Sequence, residues 1–261
     1  MNIRYYVIDA FSERVFGGNP AGVCFLDNWL EDRVLQRVAA ENNLSETAFL
    51  VQRADHYELR WFTPKMEIDL CGHATLASAF AIFNFFYGDK NVRRVEFETK
   101  SGRLSVEKQK GLLMMDFPSR KPVPCPPLSN IVDILGLPPS LILKSRDLMA
   151  VYEDEQQIRK LTPDMAKIAA LDFLGVIVTA KGESSDFVSR FFAPKVGVPE
   201  DPVTGSAHST LVPYWSGRLG KKKLHALQLS ERGGELFCED KGERVAIGGR
   251  AAAYLSGTIR I

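Results

Sequence analysis

The sequence predicts an α+β protein of two pseudo-symmetric halves, each a curved, mostly antiparallel sheet wrapped around a central apolar helix. Two observations carry that prediction. A strand-loop-helix unit is written twice. It reads Arg60-Trp61-Phe62-Thr63-Pro64-Lys65 with Cys71-Gly72-His73-Ala74 opening an apolar run, then Arg190-Phe191-Phe192-Ala193-Pro194-Lys195 with Gly205-Ser206-Ala207-His208 opening another. Between the copies, Pro118, Pro122, Pro124, Pro126 and Pro127 crowd a stretch that can continue neither a central strand nor a helix. The expected domains are therefore an N-terminal half, 1–118, and a C-terminal half, 119–261, whose last strands can pack back on the first. Each half is then about 130 residues, an ordinary domain size.

In the first half, 5–10 reads as a strand, and Gly17-Gly18-Asn19-Pro20-Ala21-Gly22 as a turn into the apolar run 23–26. Asn28 and Glu31 resemble a capping box, and Leu30, Val34, Leu35, Val38 and Ala39 recur at helical spacing until Asn42-Asn43. The segment 44–51 is a turn entering a strand. In 57–62, Tyr57, Leu59 and Trp61 share one face and Glu58 and Arg60 the other, a strand pattern. The run 72–87 is apolar on nearly all sides, which suits an enclosed helix. Strands follow at 92–98, 103–107 and 112–117. In the second half, strands are expected at 148–152, 175–180 and 187–192. A helix is expected from Thr162-Pro163, with Thr162 as its cap. Short strands from 226 to 261, separated by glycine turns, close the chain as a meander.

Composition narrows the function classes. Thirty-three basic against 32 acidic residues give a net charge of +1, so no global field draws nucleic acid or an anionic membrane surface. Lys221-Lys222-Lys223, beside Gly220, reads as a solvated turn. Cys24, Cys71, Cys125 and Cys238 have neither the density of a disulfide scaffold nor paired zinc-site spacing, and read as reduced thiols. The N-terminus passes directly into a strand pattern without a signal-peptide core, and the apolar run 74–87 falls short of the ~20 residues a bilayer span needs. The expectation is a soluble cytoplasmic protein that takes a small molecule.

Glu46 is the first candidate for chemistry. It stands between Ser45 and Thr47 at the mouth of an apolar strand, where partial burial can raise a glutamate toward about 6 to 7 and suit it to take and return a proton. A surface glutamate is the bland alternative. His73 opens the enclosed helix, where free N–H groups favour an anion, although a lone histidine can equally be a cap or core residue. Glu200-Asp201-Pro202-Val203-Thr204-Gly205-Ser206 supplies an acidic loop whose prolines restrict the backbone around Asp201. Thr204 or Ser206 capping a helix explains much of that loop equally well. Cys71 could act as a racemase-type thiol at a helix N-terminus, but the second copy offers no partner cysteine. Asp69, Cys71 and His73 lack a second cluster at metal-site spacing, so no metal is expected. The glycine run 17–22 lacks the strand-helix setting of a dinucleotide fingerprint, so no dinucleotide is expected there.

Taken together, Asp9-Ala10-Phe11, Gly18-Asn19-Pro20-Ala21-Gly22-Val23, Leu44-Ser45-Glu46-Thr47-Ala48-Phe49, Leu70-Cys71-Gly72-His73-Ala74-Thr75 and Glu200-Asp201-Pro202-Val203-Thr204-Gly205-Ser206-Ala207-His208 resemble the phenazine-biosynthesis PhzF-like family, in family order. The resemblance implies a diaminopimelate-epimerase-like fold with the active site in the cleft between its halves, a homodimer, and catalysis without cofactor or metal. It assigns acid/base catalysis to Glu46, assisted by His73 and Asp201. Gly72, Gly205 and Ser206 then lie near the substrate, with Asn19 and Ser45 as further substrate-binding candidates. Pro213 is expected to kink or shorten the second helix. The function expected is a cofactor-independent isomerase or epimerase moving a proton on a small carboxylate-bearing metabolite. The alternatives are a Cys71-dependent amino acid racemase and a non-catalytic small-ligand binding protein.

Overall fold

Along Tyr57–Phe62 the burial alternates as the sequence pattern requires: Tyr57, Leu59 and Trp61 face inward while Glu58 and Arg60 stay half-exposed. The computed structural model describes residues 1–87, 92–126 and 128–261, so Pro127 of the expected linker lies outside the described residues, as does the link from 88 to 91. Two units emerge, one made of Met1–Asp116 with Gly248–Ile261, the other of Phe117–Ile247. In chain order the elements begin with β1 (Asn2–Ala10), β2 (Asn19–Leu26), α1 (Asp32–Asn42), β3 (Glu46–Gln52), β4 (Tyr57–Phe62), β5 (Glu67–Ile68), α2 (Gly72–Ala81), β6 (Arg94–Thr99), β7 (Gly102–Gln109) and β8 (Leu112–Pro118). They continue with β9 (Val123–Pro124), α3 (Ile131–Leu135), β10 (Leu141–Lys144), β11 (Leu148–Val151), α4 (Glu155–Lys160), α5 (Met165–Ala169), β12 (Val176–Lys181), β13 (Phe187–Phe192), α6 (Gly205–Leu219), β14 (Lys223–Gln228), β15 (Gly234–Asp240), β16 (Arg244–Gly249) and β17 (Ala251–Arg260). Among the described residues no helix is long and apolar enough to cross a membrane.

In the first unit β1 lies between β17 and β2, antiparallel to both, and β2 runs parallel to β3 after the α1 crossover. The face of α1 carrying Leu35, Val38 and Ala39 packs with Cys24, Phe49 and Phe62. β1, β2, β3 and β17 all lie against α2. Nearly every residue of α2 is buried, and the small side chains of Ala74, Ala77, Ser78, Ala79 and Ala81 let the sheet close around it. The helix expected over 72–87 is α-helical only to Ala81. It then widens into a π-helical turn over 82–86, closed by Tyr87 N–H on Ile82 O at 3.1 Å.

The second unit centres on α6, which packs on β14 and β15, and on an apolar cluster that includes Ile134, Leu148, Val178, Val188 and Phe192. Three local expectations change. The cap of α1 is Glu31, not Asn28, because Trp29 and Leu30 are taken up in packing against the first unit's core. The cap of α5 is Asp164, whose carboxylate accepts from the N–H groups of Ala166 and Lys167, and Thr162-Pro163 stays outside the helix. Pro213 does not shorten its helix, since α6 runs for 15 residues through it. The carbonyl of Ser209, which an N–H at position 213 would have engaged, accepts from the Arg120 N–H at 2.9 Å instead.

The sequence repeat is also a repeat of side-chain geometry. Arg60 Nε and Nη2 donate to the two Glu67 oxygens at 2.7 and 2.8 Å, and Arg190 Nε and Nη2 donate to the two Glu200 oxygens at 2.8 and 2.9 Å. Each guanidinium also lies over an aromatic ring two residues on, Phe62 at 5.1 Å and Phe192 at 5.0 Å. Each fork thus ties the repeated strand to the loop that delivers the next buried helix. The Arg190 fork is only 14% and 25% exposed at its two side chains. Glu200→Gln, which keeps the shape and removes the charge, is expected to cost on the order of 1–2 kcal/mol. A urea midpoint unchanged from wild type would show that the fork contributes nothing.

Candidate active site

Four side chains of the first unit converge where two strands and a helix begin. Gly18, at φ +67°, makes the turn into β2; a Cβ there would meet the Ala10 carbonyl oxygen at 2.1 Å, so only glycine lets the chain return tightly enough to pair Asn19 with Ala10. β2 therefore begins at Asn19, inside the stretch expected to be turn. The parallel register sets Ala21 beside Glu46, which puts the start of β3 at the same end of the sheet. Cys71, in extended conformation, precedes α2 and places His73 in its first turn.

His73 is the hub. Its Nε2 lies 3.1 Å from Glu46 Oε2, while Nδ1 lies 3.3 Å from the Asn19 amide nitrogen and 3.4 Å from Cys71 Sγ. The His73 and Glu46 side chains are 6% and 13% exposed. Burial disfavours an imidazolium here, but Cys71 and Glu46 outweigh it and hold His73 well above the ordinary imidazole value. Burial, with Glu46 next, pushes Cys71 up to about 11, so at neutral pH the sulfur is a thiol. That is the reverse of the depressed value a proton-abstracting thiolate needs. Glu46, Cys71 and His73 also place an oxygen, a sulfur and a nitrogen within 4.8 Å of one another, a donor set that could hold a zinc-like ion. The spacing argument did not anticipate this convergence, because Glu46 belongs to a different element.

Of the remaining sequence candidates, Gly72 is the buried first residue of α2, and Ser45 is half-buried in the turn before Glu46. Asn19 is fully buried with its amide toward His73. Asp201, Gly205 and Ser206 belong to the second unit. The Asp201 carboxylate accepts from the Thr204 hydroxyl at 2.5 Å, and Thr204 is the N-cap of α6, with Gly205 and Ser206 its first two residues. Thr204 thus caps by position while its hydroxyl serves the Asp201 loop. Gln228 completes the arrangement: its Oε1 accepts from Thr204 N–H at 2.9 Å and its Nε2 donates to Asp201 O at 2.8 Å. Sequence reasoning missed Gln228, although a glutamine in step with inward-facing Leu224 and Ala226 was a readable signal. His208 is not the counterpart of His73. It is fully buried, with Nδ1–H donating to Thr204 O at 2.9 Å, and burial pushes it down to about 4.

The model of the phenazine biosynthesis-like protein family matches residues 8–257. An uncharacterized isomerase of Pseudomonas aeruginosa is 50% identical over 261 residues, covering 100% of both chains. A solved phenazine biosynthesis protein of the PhzF family from Enterococcus faecalis superposes with a TM-score of 0.97 at 48% identity, again over 100% of both chains. A hydroxyproline epimerase from Agrobacterium vitis, 8% identical, superposes at a TM-score of 0.63 over 99% of this chain and 92% of that one. That likeness shows the fold alone, and it is the epimerase-like fold expected.

His208 gives the molecule a defined acid sensitivity. The folded chain takes up this proton only near pH 4, whereas the unfolded chain does so near 6.5. Between those values the unfolded state alone binds the proton, so stability falls as pH drops from 6.5 toward 4 and this contribution levels off below. The total is on the order of 3 kcal/mol. His208→Asn keeps a donor for Thr204 O and removes the titration. Urea unfolding at pH 4.5 and pH 7 is expected to show a smaller acid loss in the variant, and equal losses would exclude His208 as the source.

Proposed function

Because the chain belongs to the phenazine biosynthesis-like family, whose members are isomerase- and epimerase-like, we propose that it is a cofactor-independent isomerase moving a proton on a small carboxylate-bearing metabolite. The observation that carries this reading is Glu46 held 3.1 Å from His73 in a buried setting at the N-terminus of α2. Glu46, as carboxylate, takes a proton from a substrate carbon, and the electron pair moves into the adjoining unsaturated system. The protonated Glu46, whose carboxyl proton exchanges with solvent before the second transfer, then delivers a proton to a different carbon, so the proton count is unchanged. His73, held above its ordinary value, steadies the Glu46 charge before and after transfer. Gly72 begins a helix whose free N–H groups favour the charge that develops. In the second unit, Asp201 fixes Thr204, the cap of α6, whose first two residues are Gly205 and Ser206. A homodimeric assembly and a cytoplasmic setting belong to the same proposal.

The test is exchange in deuterium oxide with cyclic and amino acid-like carboxylates, read by mass spectrometry. Wild type is expected to incorporate solvent deuterium, and Glu46→Gln to lose about 10²–10⁴-fold of that rate with its melting temperature retained. Unchanged exchange in Glu46→Gln rejects Glu46 as the base. Loss of exchange in Cys71→Ala, with folding intact, would instead favour a thiol-dependent racemase.

A further inference from the structure

Arg120 is half-buried, and the one carboxylate whose charge it feels, Asp147, is shared with a second arginine. Its Nη1 is buried and has no hydrogen-bond partner, although a guanidinium nitrogen cut off from water ordinarily finds one. The backbone holds it there deliberately, since the Arg120 N–H is the donor that fills the Ser209 carbonyl left open by Pro213. A second guanidinium lies close by. Arg146 donates from Nη2 to Ser206 Oγ at 3.1 Å, in the first turn of α6, and its Nε lies 3.4 Å from Asp147 Oδ2. Arg120 feels the charges of both Arg146 and Asp147, and burial together with Arg146 makes its own charge harder to keep. Asp147 is 1% exposed, and its Oδ1 is also without a partner. Two guanidinium cations thus share one carboxylate, which leaves one positive charge uncompensated.

A guanidinium nitrogen sealed from water with no acceptor is costly, and a ligand oxygen placed against it would recover that cost. We infer that Arg120 and Arg146 form an anion subsite in the second unit, beside Ser206, that accepts one carboxylate group of a small ligand. The inference rests on the isomerase reading in taking that ligand to be the substrate; the subsite itself does not depend on Glu46. The single excess positive charge matches one carboxylate group, of which malonate offers one at each end, better than a phosphate that carries two charges on one group. Arginine is also the residue type that binds a carboxylate with two parallel donors.

Titration calorimetry of the full chain with sodium malonate, at fixed ionic strength, tests the subsite, with inorganic phosphate as a second arm. Wild type is expected to bind malonate more tightly than phosphate. Arg120→Met and Arg146→Met should each weaken malonate at least tenfold, while Glu46→Gln leaves it unchanged. Ligand-free Arg120→Met should also melt above wild type, because it removes an uncompensated charge and keeps the volume. Absence of malonate binding to wild type, wild-type affinity in both methionine variants, or a lower melting temperature for Arg120→Met would each overturn the subsite. Tighter phosphate binding would overturn the carboxylate assignment. Malonate binding that persists where no substrate exchanges deuterium would sink the isomerase reading and leave the subsite standing.

Discussion

The architecture depends on a planar ion pair used twice. Arg60 with Glu67 and Arg190 with Glu200 each join a strand to the loop ahead of a buried helix by two parallel donors. Two bonds in one plane fix an orientation as well as a distance, which a lysine at either position could not do. Both loops are long, and the clamp acts with β5 in the first and with the Asp201, Thr204 and Gln228 hydrogen bonds in the second to set where α2 and α6 begin. Those first turns hold Gly72 and His73 in one unit and Gly205 and Ser206 in the other. Fixing two loops therefore fixes the residues to which chemistry is assigned.

Register does the rest in the first unit. With β2 and β3 parallel and Ala21 beside Glu46, the glutamate faces His73; a slip of one residue would turn it to the opposite face of the sheet. The group is polar and nearly enclosed, and it is internally compensated: the carboxylate meets a histidine inclined to be charged, and the cysteine remains a neutral thiol. In the second unit the loop is held differently, with Gln228 spanning Asp201 and Thr204. The two helix starts are alike in backbone and different in chemistry.

Much of the fold was legible because it is local. β4 and β13 follow from alternation, α2 from an apolar run around small residues, and the two halves from the repeated strand and loop. What was not legible is what sequence neighbours do not decide. Trp29 is drawn into the core, so α1 starts at Asp32 and the Asn28 cap goes unused. α4 is a six-residue helix rich in charge, and nothing in its hydrophobic spacing announces it. Glu46, His73 and Asp201 were readable as motif residues. The engagement of Asn19 with a histidine 54 positions away was not, and neither was the approach of Arg120 to the adjacent pair Arg146 and Asp147.

The proline within α6 carries a consequence for how the second unit tolerates change. Its ring leaves one rung of the helix ladder vacant, and the incoming chain plugs into that vacancy at Ser209. The helix interior and the segment at 120 are thereby stitched edge to edge by main-chain atoms alone. The stitch is indifferent to which side chain other than proline follows position 119, so a substitution there can empty the subsite while the backbone stays moored.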